Sequence, residues 1–344
     1  MAETESETTI YYDEDADLSA LEDRTVAFVG YGNQGRSQAL NARDSGVDVV
    51  VGNREDGYRE RIREDGFEPL SIAEATAQGD VICLLVPDEV APEVFESHVE
   101  PNLEEGDTLY VSHGYNLTYD LLGHPEWVDV VMVAPRMGGP AVRTLYESGQ
   151  GFPSILAVEQ DHTGDALETV LAMAKAIGST GAGVVEGTAD METITDLLTE
   201  QALFPVIANA MLAKFRVEVA YGIPPEIVMS ELYLSHEFAE IFEEMARHGY
   251  LGQLPFHSPT SQYGQLSRMD RFDETPLVEW FEEQLRHVDT GGFAREWSAE
   301  QSLDRPGLKR LYGKYEDSEF FEAERRTMER LNLSAAAEPE SEAE

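Results

Sequence analysis

The stretch TDLLTEQ at residues 195–201 sets two carboxylates, Asp196 and Glu200, four positions apart in sequence that otherwise reads as helix. At that spacing two side chains leave one helix face with Cβ atoms about 5–6 Å apart, close enough to serve one metal site. Taken alone, such a pair is more often a solvated acidic face. A second candidate is the loop GYGNQG, in which Gly30, Gly32 and Gly35 fit G-x-G-x-x-G directly after an apolar strand and at the start of a helix. In that setting the glycines permit a tight turn and close approach of backbone to a pyrophosphate, while the helix amino terminus supplies N–H donors and a positive dipole. Tyr31, Asn33 and Gln34 complete this candidate cofactor loop. The next strand ends in VGNREDGYRER, where Arg54 and Arg59 could hold the 2′-phosphate of NADP and Glu55 or Asp56 could bind the free hydroxyls of NAD. The sequence points both ways. His113, in SHGYN, follows the strand TLYVS at the carboxyl end, where open α/β sheets place ligands.

These residues need elements to position them. From Arg24 the chain reads TVAFVGYGNQGRSQALNARDSGVDVVVGNRE, a β-α-β unit. Further apolar runs, DVICLLVP, TLYVSHG, VDVVMVAP and PSILAVEQ, alternate with helical stretches, which predicts a doubly wound parallel sheet covered on both faces. After GAGVVEGTADME the strand signal stops and helical patterns take over. The expected fold is therefore α/β, with a Rossmann-type dinucleotide domain over 1–183, a helical substrate, metal and dimerisation domain over 184–330, and a disordered acidic tail over 331–344.

Composition bounds the partners. A formal charge of −43, from 67 acidic against 24 basic residues, accompanies 42% hydrophobic residues, too many for a disordered chain. This describes a folded protein with an acidic surface suited to high salt, and it argues against a nucleic-acid partner. Screening by molar salt should then support the fold. Thermal melting is expected to give a lower midpoint at low ionic strength than in molar KCl, and equal midpoints would count against this. The lone cysteine, Cys83, lies in an apolar run and excludes an intrachain disulfide, which fits a cytoplasmic location. Neither a signal peptide nor an apolar run of membrane-spanning length is present, so no membrane association is expected.

The segments GYGNQGRSQALNARDSGVDVVVG, VSHGYNL, VMVAPRMGGPAVRTLYESGQGFPSILAVEQDHTGDA, ETITDLLTEQA, SPTSQYG and GGFAREWSAEQ together resemble the short form of ketol-acid reductoisomerase, and they run in the family's order. The resemblance implies a Rossmann domain followed by a knotted helical domain that pairs with a second subunit. It also implies a magnesium-dependent alkyl shift on 2-acetolactate or 2-aceto-2-hydroxybutyrate, then hydride transfer from NADPH or NADH to give a 2,3-dihydroxy acid. By that resemblance Asp196 and Glu200 are Mg²⁺ ligands, His113 is a substrate-side or proton-relay residue, and Ser258 binds the substrate carboxylate.

The sequence also departs from the family. Arg136 stands in APRMGGP where the family has Lys, and a forked guanidinium cannot serve as a compact or deprotonating ammonium. The family's second pair of acids, two Glu four apart supplied by the partner subunit, has no intact counterpart. Glu231 aligns opposite Ser235, or Glu237 opposite Tyr233, because this stretch is two residues longer. One magnesium at Asp196 and Glu200 is therefore expected, with the second site altered or missing. Two other readings stay open: a diverged reductase of another 2-oxo acid that lacks the alkyl shift, and a non-catalytic NAD(P)-binding paralogue.

Overall fold

The computed structural model describes residues 8–333. Of the tail expected over 331–344, residues 334–344 lie outside the described residues. The chain divides into two compact units, Met1–Asp196 and Leu197–Glu344.

The first unit is built on a nine-stranded sheet in the order β1-β9-β8-β7-β6-β5-β2-β3-β4. Its strands are β1 (Ile10–Tyr11), β2 (Thr25–Val29), β3 (Asp48–Gly52), β4 (Pro69–Leu70), β5 (Val81–Leu84), β6 (Thr108–Val111), β7 (Asp129–Pro135), β8 (Ser154–Gln160) and β9 (Val184–Glu186). Strands β2 to β7 are parallel, as their uninterrupted apolar runs predict for strands covered on both faces. Neighbouring residues of β2 supply opposite layers, Phe28 packing with Tyr31, Val131 and Ile177, and Val29 with Ile82, Phe95 and Met132. Cys83 is fully buried in the first of these clusters.

The sheet is mixed rather than wholly parallel, which corrects the expectation for PSILAVEQ. That segment forms β8, but antiparallel to β7, with Pro135 opposite Ser154. The physical reason is the connection. The Gly139–Glu147 helix and its loops form an excursion that leaves and re-enters the sheet at one edge, so the chain returns in the reverse direction. An apolar strand carries no mark of its direction. Strands β1, β4 and β9, of two, two and three residues, are too short to give a periodic signal and were not anticipated.

At the amino end of β6, Asp107 is 8% exposed. Burial above all, then the charges of Asp80 and Glu104, push its carboxyl from 3.8 up to about 6, against the Glu104 N–H donor and Arg24. A carboxyl that is harder to ionise when folded weakens the fold as pH rises from its unfolded value through its folded one. Asp107→Asn should therefore raise the melting midpoint relative to wild type above about pH 6, with the advantage vanishing near pH 4. A pH series of melts on both proteins reads this directly.

The second unit is helical among its described residues. A small core joins Phe215, Val228, Met229, Leu232, Phe320 and Ala323, with the Phe215 and Phe320 rings edge to face at 5.1 Å. Two π turns interrupt its helices, at Thr199–Leu203 and at Ser230–Leu234. Many large apolar side chains of this unit face outward, among them Tyr221 at 86%, Tyr263 at 68% and Phe256 at 65% exposure. No helix among the described residues is long and apolar enough to cross a membrane.

Candidate active site

Three loops leave the carboxyl ends of adjacent parallel strands and converge in the first unit. The loop after β5 carries Asp88, the loop after β6 carries His113, and Arg136 follows the last residue of β7. The Ala189–Leu198 helix crosses them and adds Glu192 and Asp196, one turn apart on one face. Gly114 permits the crossing, since a Cβ there would lie 2.5 Å from the carbonyl oxygen of Ala189 and 2.6 Å from Thr193 Oγ1. The Gly114 N–H instead donates to Glu192 Oε2 at 2.8 Å.

Arg136 ties the two acids together. Its Nη1 donates to Glu192 Oε1 at 2.5 Å and its Nη2 to Asp196 Oδ1. Burial pulls the guanidinium down, but the hydrogen bonds and charges of Glu192 and Asp196 outweigh this and hold it above its ordinary value. On the other side, His113 Nδ1 is 2.7 Å from Asp88 Oδ2, and Asn116 Nδ2 donates to both Asp88 Oδ1 and the Asp88 carbonyl. The far nitrogen, Nε2, is buried without a hydrogen-bond partner, 3.6 Å from Asp196 Oδ2 and 3.8 Å from Glu192 Oε2. Burial lowers the imidazole value, yet the Asp88 hydrogen bond and charge, with the charges of Glu192 and Asp196, raise it to about 9. The three carboxylates thus favour the protonated imidazole. Together His113, Glu192 and Asp196 can each turn one ligand atom within 4.8 Å of the others, a group that could hold a metal ion.

The glycine loop is built as its sequence predicts. Gly30 takes φ 97° and donates to the Gly52 carbonyl at 2.9 Å, and the Asn33–Asp44 helix opens at Gly32 with no side chain capping it. A Cβ at Gly32 would meet nothing within 4 Å, so backbone and open space face each other where a pyrophosphate would lie. Asn33 is exposed at the helix start, and Gln34 donates to the Met137 carbonyl at 2.9 Å, which binds this loop to the residue after Arg136. Tyr31 does not face the open loop. It is 1% exposed and donates to Asp65 Oδ2 at 3.0 Å.

At the end of β3, Asp56 is fully engaged, accepting from Asn53 Nδ2, the Tyr58 N–H and Arg54 Nε at 2.7–3.0 Å. Arg59 makes only long contacts, 3.4 Å to the Asn53 carbonyl and 3.6 Å to Glu55, and its Nε is buried without a hydrogen-bond partner.

The structure therefore brings together His113, Arg136 and Asp196, and it adds Asp88 and Glu192, which the sequence reading passed over. Glu192 repeats the four-residue spacing upstream of Asp196 and Glu200, a signal that was present in ETITDLLTEQ. Asp88 carried none beyond its place just after β5. The remaining predicted residues lie in the second unit. Glu200 is on the Thr199–Leu203 π turn, Glu231 on the Ser230–Leu234 π turn, and Glu237 begins the helix after the break at His236, whose φ is 65°. Ser258 caps the Pro259–Met269 helix, accepting from the Ser261 N–H.

Comparison with known proteins gives the site a context. Residues 20–183 match the sequence model of the acetohydroxy acid isomeroreductase NADPH-binding domain, and residues 190–332 that of the ketol-acid reductoisomerase C-terminal domain. A ketol-acid reductoisomerase (NADP(+)) of Methanopyrus kandleri is 45% identical over 90% of this chain and 94% of its own. One from Methanocaldococcus jannaschii is 41% identical over 88% and 92%. The solved structure of an NADH-preferring ketol-acid reductoisomerase from an uncultured archean superposes with a TM-score of 0.88 at 36% identity, covering 96% of this chain and all of that one.

Proposed function

The chain belongs to the ketol-acid reductoisomerase family, and from that premise we propose that it isomerises and reduces 2-acetolactate and 2-aceto-2-hydroxybutyrate to 2,3-dihydroxy acids with a nicotinamide cofactor and Mg²⁺. The observation that carries this reading is the convergence of His113, Arg136, Glu192 and Asp196 at the carboxyl ends of β6 and β7, next to a loop built for a dinucleotide. In 2-acetolactate a methyl group passes from the carbinol carbon to the neighbouring ketone carbon as the hydroxyl proton leaves and the former ketone oxygen takes one up. Hydride and a proton then complete the reduction of the new ketone.

The residues present fit a divalent cation. Asp196 keeps an oxygen, Oδ2, that Arg136 does not take, and carboxylate oxygens are the donors Mg²⁺ takes. Asp196 would hold the ion, with Glu200 assigned by sequence. Bound there, it supplies Lewis-acid polarisation of the substrate's carbonyl and hydroxyl oxygens. Arg136 fixes both carboxylates in one orientation through its forked donors. It cannot serve as the base, because a guanidinium does not deprotonate in this range. Asp88 holds His113 at Nδ1, so that Nε2 carries a proton toward the acids, placed to protonate the oxygen that hydride delivery leaves charged. In the helical unit, Ser258 would bind the substrate carboxylate, and the exposed apolar faces would be covered in a homodimer to which either Glu231 or Glu237 contributes an acid. Sedimentation showing a monomer would count against the dimer. The acidic surface supports a salt-rich cytoplasm as the enzyme's setting.

For the cofactor, Asp56 is occupied within its own loop and Arg59 makes only long contacts, with its Nε lacking a hydrogen-bond partner, which favours Arg59, with Arg54, as the contact for a 2′-phosphate. The test of the whole reading is product identity. With Mg²⁺ and NADPH, 2-acetolactate should yield 2,3-dihydroxy-3-methylbutanoate by NMR. Arg59→Leu should lower the preference for NADPH over NADH by about tenfold or more. A dihydroxy product lacking the migrated methyl would defeat the assignment of the reaction, and an unchanged cofactor preference would defeat the role of Arg59.

A further inference from the structure

The structure assigns to the Arg136 guanidinium the place of a resident cation between Glu192 and Asp196, so that each subunit's acid cluster accepts a single divalent ion rather than a shared pair. The inference rests on the reductoisomerase reading above for the presence of Mg²⁺. Two independent observations carry it.

The first is how the carboxylate oxygens are distributed. Arg136 takes one oxygen of each acid, and the Gly114 N–H takes the second oxygen of Glu192 at 2.8 Å. Glu192 is 1% exposed, so no water-filled side remains to it. Asp196 Oδ2 is the oxygen that neither Arg136 nor the Gly114 N–H takes, and it lies 3.6 Å from His113 Nε2. With one oxygen on Arg136, Asp196 has fewer lone pairs to offer two ions, each of which would take close, near-octahedral oxygen ligands. Displacing the guanidinium breaks two charge-assisted hydrogen bonds to anions.

The second observation lies in the helical unit. The π turn at Ser230–Leu234 and the positive φ at His236 end one helix and start another between Glu231 and Glu237. Position 235, four beyond Glu231, is a serine. The pair of acids that a second ion would use is therefore not formed on one helical face. The missing acid at position 235 and the forked guanidinium held on both site acids point the same way, to fewer oxygens left for a second ion.

Mn²⁺ titration of the full-length protein in molar KCl, read by calorimetry and by the loss of the free-ion EPR signal, tests this without turnover. Wild type should bind one ion per subunit. Arg136→Met should admit a second ion or tighten the first by about tenfold or more, the scale of removing one unit charge beside a carboxylate. Arg136→Lys should fall between them, and it carries the test if the methionine variant does not fold, as judged by its NADPH affinity and melting curve. Two ions of similar affinity in wild type, no ion at all, or Arg136 variants that match wild type in both number and affinity would each overturn the assignment. Ion counting is independent of the product analysis, so failure of the reaction assignment and failure of this inference are read separately.

Discussion

Asp196→Asn should leave a folded protein whose turnover of 2-acetolactate is lower by roughly 10²- to 10³-fold, the scale of losing one charged group that stabilises a developing oxyanion or holds a catalytic ion. The side chain is 28% exposed, and Arg136 would keep Glu192 as its partner, so the fold has little to lose. The reaction loses the carboxylate that both the guanidinium and the His113 edge address. Affinity for NADPH, measured by fluorescence, should be nearly unchanged, because the glycine loop is built from other elements. A variant that retains more than about a third of wild-type kcat, far above the loss expected of such a group, would remove Asp196 from the centre of the mechanism.

The second large effect belongs to Gly35. A Cβ there would lie 2.1 Å from the Gly30 carbonyl oxygen and 3.0 Å from its carbon, both backbone atoms. Gly30 cannot yield, since it is itself at φ 97° with its N–H bonded to Gly52. Overpacking against backbone costs about 1–3 kcal/mol or more, so Gly35→Ala should lower the melting midpoint by several degrees and weaken NADPH binding by at least roughly tenfold. Gly32→Ala gives the contrast. Its Cβ meets nothing within 4 Å, so the apo protein should melt as wild type does while NADPH binding still weakens, because the methyl group occupies the space meant for the pyrophosphate. If both variants melted and bound alike, the loop would be structural only.

The sequence carried the site further than it carried the sheet. The glycine loop was legible because one spacing rule states both its geometry and its ligand, and β2 and β3 flank it where that rule requires. The direction of β8 was not legible, since parallel and antiparallel strands can be equally apolar, and only the return of the Gly139–Glu147 excursion to the same edge decides it. Asp196 was recognised from its surrounding motif. Glu192, one turn earlier, was overlooked although it is the more buried of the two, because burial of an acid cannot be read from a charge pattern in so acidic a chain. Asp88 is a case of tertiary convergence. Nothing in its neighbours marks it, and it acquires meaning when β5 and β6 lie side by side and bring it within 2.7 Å of His113. Between Glu231 and Glu237 the fold places a π turn followed by a break at His236, which charge spacing alone does not foretell.

The central claim is that Arg136, in place of Lys, still supports the alkyl shift as well as the reduction. Following nicotinamide oxidation by the purified protein in molar KCl, with 2-acetolactate and separately with 3-hydroxy-3-methyl-2-oxobutyrate, each with and without Mg²⁺, addresses it most directly. The account predicts that both compounds are reduced and that 2-acetolactate is consumed only when Mg²⁺ is present. Reduction of the second compound alone would contradict it, and would mean that the guanidinium at residue 136 leaves a reductase without its isomerase.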